Sequence, residues 1–314
     1  VYKRQGERHA ILDLAHPLFD TITGGTVKDI DFKRVNMVYS DSQAGDTIAT
    51  IAARLKNKGI IENVNVQGYL EGRDHIAGLV NNIEGQSRIE NVSFKGQIKS
   101  KGGNSVTAGI AGTNAMSLVK RAYVEADIWV KSGQNAGMLV AQNFTDYSGS
   151  GWGNWGKLTQ SVAKGKLEDA GSRNSAGIAA SIWPYGTIND TVSYATVVNG
   201  KELFSSDNEI TDAWMGQKLQ NLFGVQGQSS GTKTGKDAKF RRLTEAEAEQ
   251  KVKSYRITAL EQTSANEVTT EKLNAAILRT SPYQDKPGYK AENEQLYQNL
   301  EPVSYTHLTL PTNR

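Results

Sequence analysis

The sequence predicts a mainly β protein: a parallel β-helix-like solenoid of about six coils, followed by a small α-helical segment. Three observations predict this fold. A glycine-centred motif recurs along the chain, blocks of alternating apolar residues lie between its copies, and the composition is rich in glycine but poor in proline. The chain has 31 glycines and 6 prolines in 314 residues. This composition is typical of many tight turns between short strands.

The recurring motif has a small residue and a glycine followed by apolar residues. Successive glycines lie 31, 28 and 40 residues apart, and the longest interval contains a Gly/Trp/Ser-rich insertion from Tyr147 to Gly156. A degenerate earlier copy spans Thr50 to Leu55. The four clear copies centre on Gly78, Gly109, Gly137 and Gly177.

Each copy is followed by a second block in which apolar residues alternate. The block Ile61–Gly68 lies 28 residues before the closely similar block Ile89–Gly96. Looser copies are Val27–Phe32, Val119–Ala126, Leu158–Gly165 and Ile188–Thr196. About six copies therefore cover residues 18–200, and a fixed repeat of this kind is typical of stacked architectures.

The alternation within a block places Ile89, Val92, Phe94 and Ile98 in the interior, and the three-residue step from Ile89 to Val92 predicts a corner or bulge. A single block cannot bury its apolar face alone, whereas stacked blocks can. Coils of roughly 28 residues favour a β-helix, because a propeller blade needs about 40 or more.

Both ends of the chain differ from the rest. Residues 1–5 and 304–314 resemble translated sequencing-adapter read-through, so we exclude these two artefactual tails from the fold prediction. Without Lys3, Arg4 and Arg314 the basic residues fall from 36 to 33, equal to the 33 acidic residues. A neutral chain gives no electrostatic support for a nucleic-acid partner or an anionic membrane.

Other sequence features indicate an internal piece of a larger protein. There is no initiator methionine, no apolar leader and no run of 18 apolar residues, so no membrane insertion is expected in this fragment. The chain has no cysteine, which excludes a disulfide framework and a thiolate metal site but does not decide the compartment.

The motifs together resemble a known repeat. Ala-Gly-Leu-Val at 77–80 followed by Ile-Glu-Asn-Val at 89–92 resembles the GLUG repeat of bacterial surface proteins. The segment Leu18–Ile30 is similar to the start of that array in streptococcal IgA1-protease-like zinc metallopeptidases, peptidase family M26. Three downstream segments, Asn221–Gly231, Phe240–Ala248 and Lys251–Ala259, resemble the stretch that follows the array, so the likeness covers nearly all of residues 18–303.

This resemblance implies a function that the fragment itself does not perform. The family's catalytic helix carries His-Glu-x-x-His, in which two imidazoles bind zinc and the glutamate activates water. No glutamate follows His9, His16 or His75, so no catalytic, cofactor or metal residue is predicted in this chain. The resemblance implies that zinc and the catalytic domain lie beyond residue 303, and that immunoglobulin A or another host glycoprotein is the partner.

The domain organisation follows from the repeats and the composition. Residues 6–200 form the solenoid, 201–240 a cap and linker, and 241–303 the helical start of a separate domain. Residues 226–239 are rich in Gly, Ser, Thr and Lys, which is typical of a linker. Thr244 and Glu247 form a capping box for a helix ending near Ser254. Further helices are predicted at Glu271–Leu278 and Ala291–Leu300.

Aromatic residues are the candidate ligand contacts. Tyr147, Trp152 and Trp155 lie in the insertion, and Trp183 and Tyr185 in the next copy. Exposed rings on loops can stack on sugars or form a protein hot spot, while the simpler alternative is a cluster folded over the solenoid.

His75 is expected to be a strand-edge histidine rather than a metal ligand. The acidic residues are dispersed and fit turns better than a calcium site; they are Asp41, Asp46, Asp74, Asp169 and Asp190.

One further pair of polar residues has an expected structural role. Asn63 and Asn91 occupy equivalent repeat positions and can stack as a polar ladder, which Arg121 interrupts in the next copy. Structural hydrogen bonding is favoured over a ligand role.

Two functions from different classes remain open. The first is an extracellular, non-catalytic N-terminal region of an IgA1-specific-type zinc metalloendopeptidase, secreted or on the bacterial cell surface, that positions or binds a host glycoprotein. The second is a stand-alone surface adhesin or glycan-binding module. A β-helix carbohydrate-active enzyme is disfavoured because no cluster of carboxylates with a Lys or Arg recurs on one face.

Overall fold

The structure is a computed structural model of the chain. Its described residues are 8–39, 47–102, 106–131, 135–144, 156–170, 174–182, 186–204, 219–232, 240–262, 264 and 266–269. They form the parallel β-solenoid of about six coils that the sequence predicts, with one short helix after the coils.

The secondary-structure elements follow one another in a regular order. In the described residues the strands are β1 His9–Leu12, β2 Phe19–Thr23, β3 Thr26–Val38, β4 Thr47–Ala49, β5 Ala52–Lys56, β6 Ile60–Gly72, β7 His75–Ala77, β8 Val80–Ile83, β9 Arg88–Ser100, β10 Val106–Ala108, β11 Ala111–Ala115, β12 Leu118–Val130, β13 Asn135–Gly137, β14 Val140–Phe144, β15 Lys157–Thr159, β16 Val162–Asp169, β17 Asn174–Ala176, β18 Ala179–Ile182, β19 Thr187–Ser193, β20 Thr196–Lys201, β21 Leu219–Val225, β22 Ser230–Thr232, β23 Phe240–Leu243 and β24 Asn266–Thr269. Helix α1 is Glu245–Tyr255, and a 3₁₀ turn covers Thr258–Glu261.

Each regular coil contains a long strand, a three-residue strand and a third strand on another face. In one coil these are β6, β7 and β8, and each pairs in parallel with its equivalent in the next coil, β9, β10 and β11. The first two kinds of strand belong to an 18-stranded sheet, while β2, β5, β8, β11, β14 and β18 form a six-stranded sheet. The stacked coils enclose one continuous apolar core.

The alternation predicted for the long strand is confirmed. Ile89, Val92, Phe94 and Ile98 are all buried in the core. The three-residue step is a corner: Asn91 between Ile89 and Val92 has φ +55°, in the left-handed region. This region is disfavoured for most side chains but tolerated by Asn and Asp, which explains why Asn recurs there.

The glycine motif marks a corner where adjacent coils approach too closely for a side chain. A Cβ added to Gly78 would overlap the carbonyl oxygen of Gly109 and lie 2.7 Å from the Phe94 ring. A Cβ on Gly109 would lie 2.5 Å from the carbonyl oxygen of Met138. Glycine is therefore required by contact between coils.

The structure corrects the alignment of the third copy by one residue. Gly137 pairs with Ala108 and Ala176 rather than with Gly109 and Gly177. Met138 occupies the glycine position, where its buried side chain contributes to the core. Sequence comparison favoured matching glycine to glycine, whereas the main-chain register matches Val140 with Ala111 and Ala179.

The segment after the repeats also differs from the prediction. A helical unit separate from the solenoid was expected from residue 241, but β23 adds to β21, α1 packs on the coils, and β24 pairs with β1. In the expected linker, β22 pairs with β20. The predicted capping box is confirmed, with α1 ending at Tyr255. The predicted helices Glu271–Leu278 and Ala291–Leu300 lie outside the described residues.

We predict that Gly78→Ala lowers the free energy of unfolding by about 1–3 kcal/mol, the usual cost of overpacking a dense interior. Urea denaturation followed by circular dichroism measures this change. Gly227→Asn is the matched control, because Gly227 has φ +75° and no atom within 4 Å of an added Cβ, so Asn is tolerated. Equal stability of Gly78→Ala and the wild type would contradict the close approach.

Candidate functional site

All four aromatic candidates lie outside the described residues: Trp152, Trp155, Trp183 and Tyr185. Their role as ligand contacts therefore stays a prediction. The flanking strands show where the two segments begin and end. β14 and β18 are neighbours, as are β15 and β19, so both segments connect the same two sheets in adjacent coils. The buried Asn143 side chain joins the returning ends by donating to the carbonyls of Gly156 and Thr187, both at 3.1 Å.

The histidine and acidic candidates do not converge in the described part of the chain. No group of three or more His, Cys, Asp or Glu side chains there could hold a metal ion. We therefore derive no zinc chemistry from these residues. Asp41 and Asp46 lie outside the described residues, whereas Asp190 contacts the segment that follows the repeats. No helix in the described residues is long and apolar enough to cross a membrane.

Polar side chains meet at the corner of the long strand. One residue per coil occupies this corner with a positive φ of 50° to 58°. We call this set the corner row; its members are Asp29, Asn63, Asn91, Arg121, Gln160, Asp190 and Asn221. The asparagine ladder predicted within it is confirmed, because Asn91 donates to Asn63 at 3.2 Å and Asn63 donates to Asp29 at 2.6 Å. Arg121 bonds Glu90 instead, at 2.6 Å.

A second row lies two residues further along each long strand and faces outward. We call it the outward row; its members are Asp31, Asn65, Ser93, Tyr123, Val162, Val192 and Phe223. Its N-terminal half is polar and its C-terminal half is apolar. Apolar side chains on the outside of a solenoid need a cover, and here Val162 and Val192 are nevertheless fully buried.

The cover is formed by the described residues between 244 and 269, which are 244–262, 264 and 266–269; we call them the strap. It begins at the C-terminal coils with α1, whose Ala248 and Tyr255 pack with Ile257 against Val192 and Phe223. Burial raises the pKa of Tyr255, and the nearby Asp190 carboxylate adds to this effect. Lys251 binds the same carboxylate at 2.6 Å. The apolar half of the outward row is thus matched by the apolar face of a helix.

The next part of the strap crosses the polar half of the two rows. Arg256 ends the helix with φ +53°, and the 3₁₀ turn follows. Asn91 accepts from the Ala259 main-chain N–H at 3.1 Å and donates to the Thr258 hydroxyl at 3.0 Å. Asn65 donates to the Ala259 carbonyl at 2.7 Å. Both main-chain polar groups of the fully buried Ala259 are therefore bound by asparagine side chains.

The strap ends on the N-terminal coil. Gln262 accepts from Asn63 at 2.8 Å and from Arg8. Strand β24 then pairs in parallel with β1, with Val268 opposite Ile11 and partly buried against the core. Lys33 binds Glu267 at 2.9 Å. The strap therefore connects the two ends of the solenoid.

The arrangement is one that binds a polypeptide segment. Asn91 of the corner row and Asn65 of the outward row bind the main chain of the strap. The apolar outward residues contact a helix, and the edge of β1 pairs with a strand. This combination of fold and site defines a repeat-built β-solenoid module with a returning C-terminal strap.

Comparisons with known proteins relate this β-solenoid module to one family of proteins. The family of the "M26 IgA1-specific Metallo-endopeptidase N-terminal region" matches residues 2–68. Zinc metalloprotease ZmpB of Streptococcus pneumoniae serotype 4 is 37% identical over 302 residues, which cover 95% of this chain and 15% of that protein. Immunoglobulin A1 protease of Streptococcus sanguinis is 29% identical over 64% of this chain and 11% of its own length.

A solved structure shares the fold. An IgA1 protease superposes with a TM-score of 0.63 at 18% identity, over 88% of this chain and 22% of that one. The chain is related to the N-terminal region of the IgA1-specific zinc metalloproteases, as the GLUG-type motifs implied. It spans about 15% of the length of ZmpB, so the activity of the whole protease is not established for this chain.

The sequence interpretation missed the strap and most of its anchors. The corner residues Asn63 and Asn91 were assigned to coil-to-coil hydrogen bonding, and Asp190 to a turn. Contacts such as that of Asn91 with Ala259 join residues 168 positions apart, and no local pattern reports them. One signal was available: the outward apolar residues Val162, Val192 and Phe223 in adjacent coils indicate a covered face.

We predict that Asn91→Gly weakens the attachment of the strap. Glycine keeps the left-handed corner but removes both hydrogen bonds to the strap, each worth about 0.5–1.5 kcal/mol. Amide exchange of residues 258–262 should become faster. Lys58→Gly is the control, because Lys58 is exposed and also has a positive φ. Unchanged exchange in Asn91→Gly would show that Asn91 does not hold the strap.

Proposed function

We propose that this chain is a non-catalytic N-terminal region of a secreted or cell-surface zinc metalloendopeptidase of the IgA1-specific type, and that it binds or positions a host glycoprotein. The observation that carries the proposal is the 37% identity to ZmpB across 95% of the chain. The relation to immunoglobulin A1 proteases supports immunoglobulin A as the substrate class.

The residues of the chain support a binding role rather than catalysis. His-Glu-x-x-His does not occur in the sequence, so the zinc and its catalytic helix are expected in another part of the parent protein. A solenoid offers long lateral faces whose side chains repeat at a fixed spacing, and such surfaces are widely used for binding. The downstream catalytic domain and the extracellular location belong to this proposal.

A second candidate function is binding of a glycan by a stand-alone surface module. The observation that favours it is that the strands flanking the two aromatic segments are neighbours, β14 with β18 and β15 with β19. Asn143 binds the carbonyls of Gly156 and Thr187, at the start of β15 and β19. Aromatic rings on neighbouring loops can stack on successive sugars.

The purified chain, incubated with human IgA1, tests the first proposal. We expect binding of IgA1 by surface plasmon resonance and no cleavage of its heavy chain on gels. Cleavage by the chain alone would contradict the non-catalytic role, and failure to bind IgA1 or any other host glycoprotein would contradict the positioning role.

The aromatic residues separate the two candidate functions. In the second, Trp152→Ala with Trp155→Ala abolishes binding on a glycan array, while Trp129→Ala, a substitution in the described strand β12, leaves binding intact. Failure of the wild-type chain to bind any glycan on the array would contradict the glycan-binding function.

A further inference from the structure

Residues 258–262 and 266–269 of the strap bury few apolar side chains: Ala259 is buried and Val268 is partly buried. Helix α1 and the residues that follow it are anchored by the buried side chains of Tyr255 and Ile257, and full burial of a large apolar side chain is worth about 1.5–3 kcal/mol. The 3₁₀ turn and β24 are held mainly by hydrogen bonds, each worth about 0.5–1.5 kcal/mol. Segments with few buried apolar contacts open at a lower free energy than the core. Opening of the strap therefore begins at β24 and the 3₁₀ turn.

Opening this part exposes a sheet edge with defined chemistry. Strand β1 pairs with β3 on one side and with β24 on the other. Without β24 the main chain of His9–Ile11 loses its partner strand on that side, which makes it a template for an added strand. Next to this edge lie Arg8, Asn63 and Asn65, whose strap partners Gln262 and Ala259 leave with the strap.

We propose that the strap is a clasp over a peptide-binding surface, formed by the β1 edge with Asn65 and Asn91, which takes an extended peptide of another polypeptide when the clasp opens. The strap occupies this surface in the structure, and its residues indicate the chemistry of the peptide. Glu267 meets Lys33 at 2.9 Å, and Val268 packs against the core opposite Ile11. The partner is therefore a parallel strand in which an acidic residue precedes an apolar one.

This proposal does not rest on the protease-related function, because its evidence is the contact between the strap and the coils. The position of Ala259 makes it testable. Ala259 is fully buried and held through both of its main-chain polar groups, whereas its neighbour Leu260 is 36% exposed. A large charged side chain at 259 displaces the strap without changing a solenoid residue. The same side chain at 260 is accommodated in solvent.

The experiment compares Ala259→Arg with the control Leu260→Arg in the full chain. Amide exchange in residues 9–12 and 258–262 is expected to rise about tenfold or more in Ala259→Arg, with residues 60–72 and 88–100 unchanged. Loss of protection in all coils would overturn the clasp, because the strap would then be part of the global fold. If Ala259→Arg leaves exchange unchanged, the pair Asn65→Ala with Asn91→Gly, which keeps the left-handed corner, must produce the opening; failure of both overturns the proposal.

A labelled synthetic peptide with the sequence of residues 256–269 then probes the exposed surface by fluorescence anisotropy. Binding to Ala259→Arg is expected to be about tenfold tighter than to the wild type or Leu260→Arg, and a peptide carrying E267K and V268D is expected not to bind. Equal binding of both peptides, or no preference for Ala259→Arg, overturns the proposal. Sedimentation that shows dimers of Ala259→Arg would assign the edge to a second copy and overturn its assignment to a separate peptide.

Discussion

Main-chain hydrogen bonding between stacked coils is the constraint on which the rest of this structure depends. Strands of adjacent coils pair in parallel and nearly always in register, so each repeat position lies against its equivalent. This stacking forces glycine where coils approach closely, as at Gly78 and Gly109. It also collects one left-handed residue per coil into the corner row. Local sequence choices are therefore set by the neighbouring coil.

Because the coils stack in the order of the chain, a change of residue type from one repeat to the next becomes a change along the surface of the solenoid. The outward row changes from Asp31 and Asn65 at one end to Val192 and Phe223 at the other. The strap has the matching order in reverse, an apolar helix first and a hydrogen-bonded turn later. Because its last strand pairs with β1, it occupies the sheet edge where a preceding coil would otherwise stack. Edge strands that are covered in this way are protected from unwanted pairing.

The repeats made the solenoid predictable from sequence, because period-2 alternation and a fixed spacing are local signals. Local signals also predicted the corner at Asn91 and the capping box at Thr244, because each depends on a few adjacent residues. The register at Met138 was not predictable in the same way, since matching glycines misled the alignment and only the main-chain pairing corrects it. The strap was missed because its anchors join distant residues, such as Asn65 and Ala259. The predicted aromatic contacts stay a prediction.

The central claim is that the strap and the solenoid form one structural unit closed by the pairing of β24 with β1. Native-state amide exchange of the unmodified chain across a series of low urea concentrations tests it most directly. Residues 266–269 are expected to be protected, and their exchange is expected to rise together with that of residues 9–12. Unprotected residues 266–269 beside a protected β1 would contradict it.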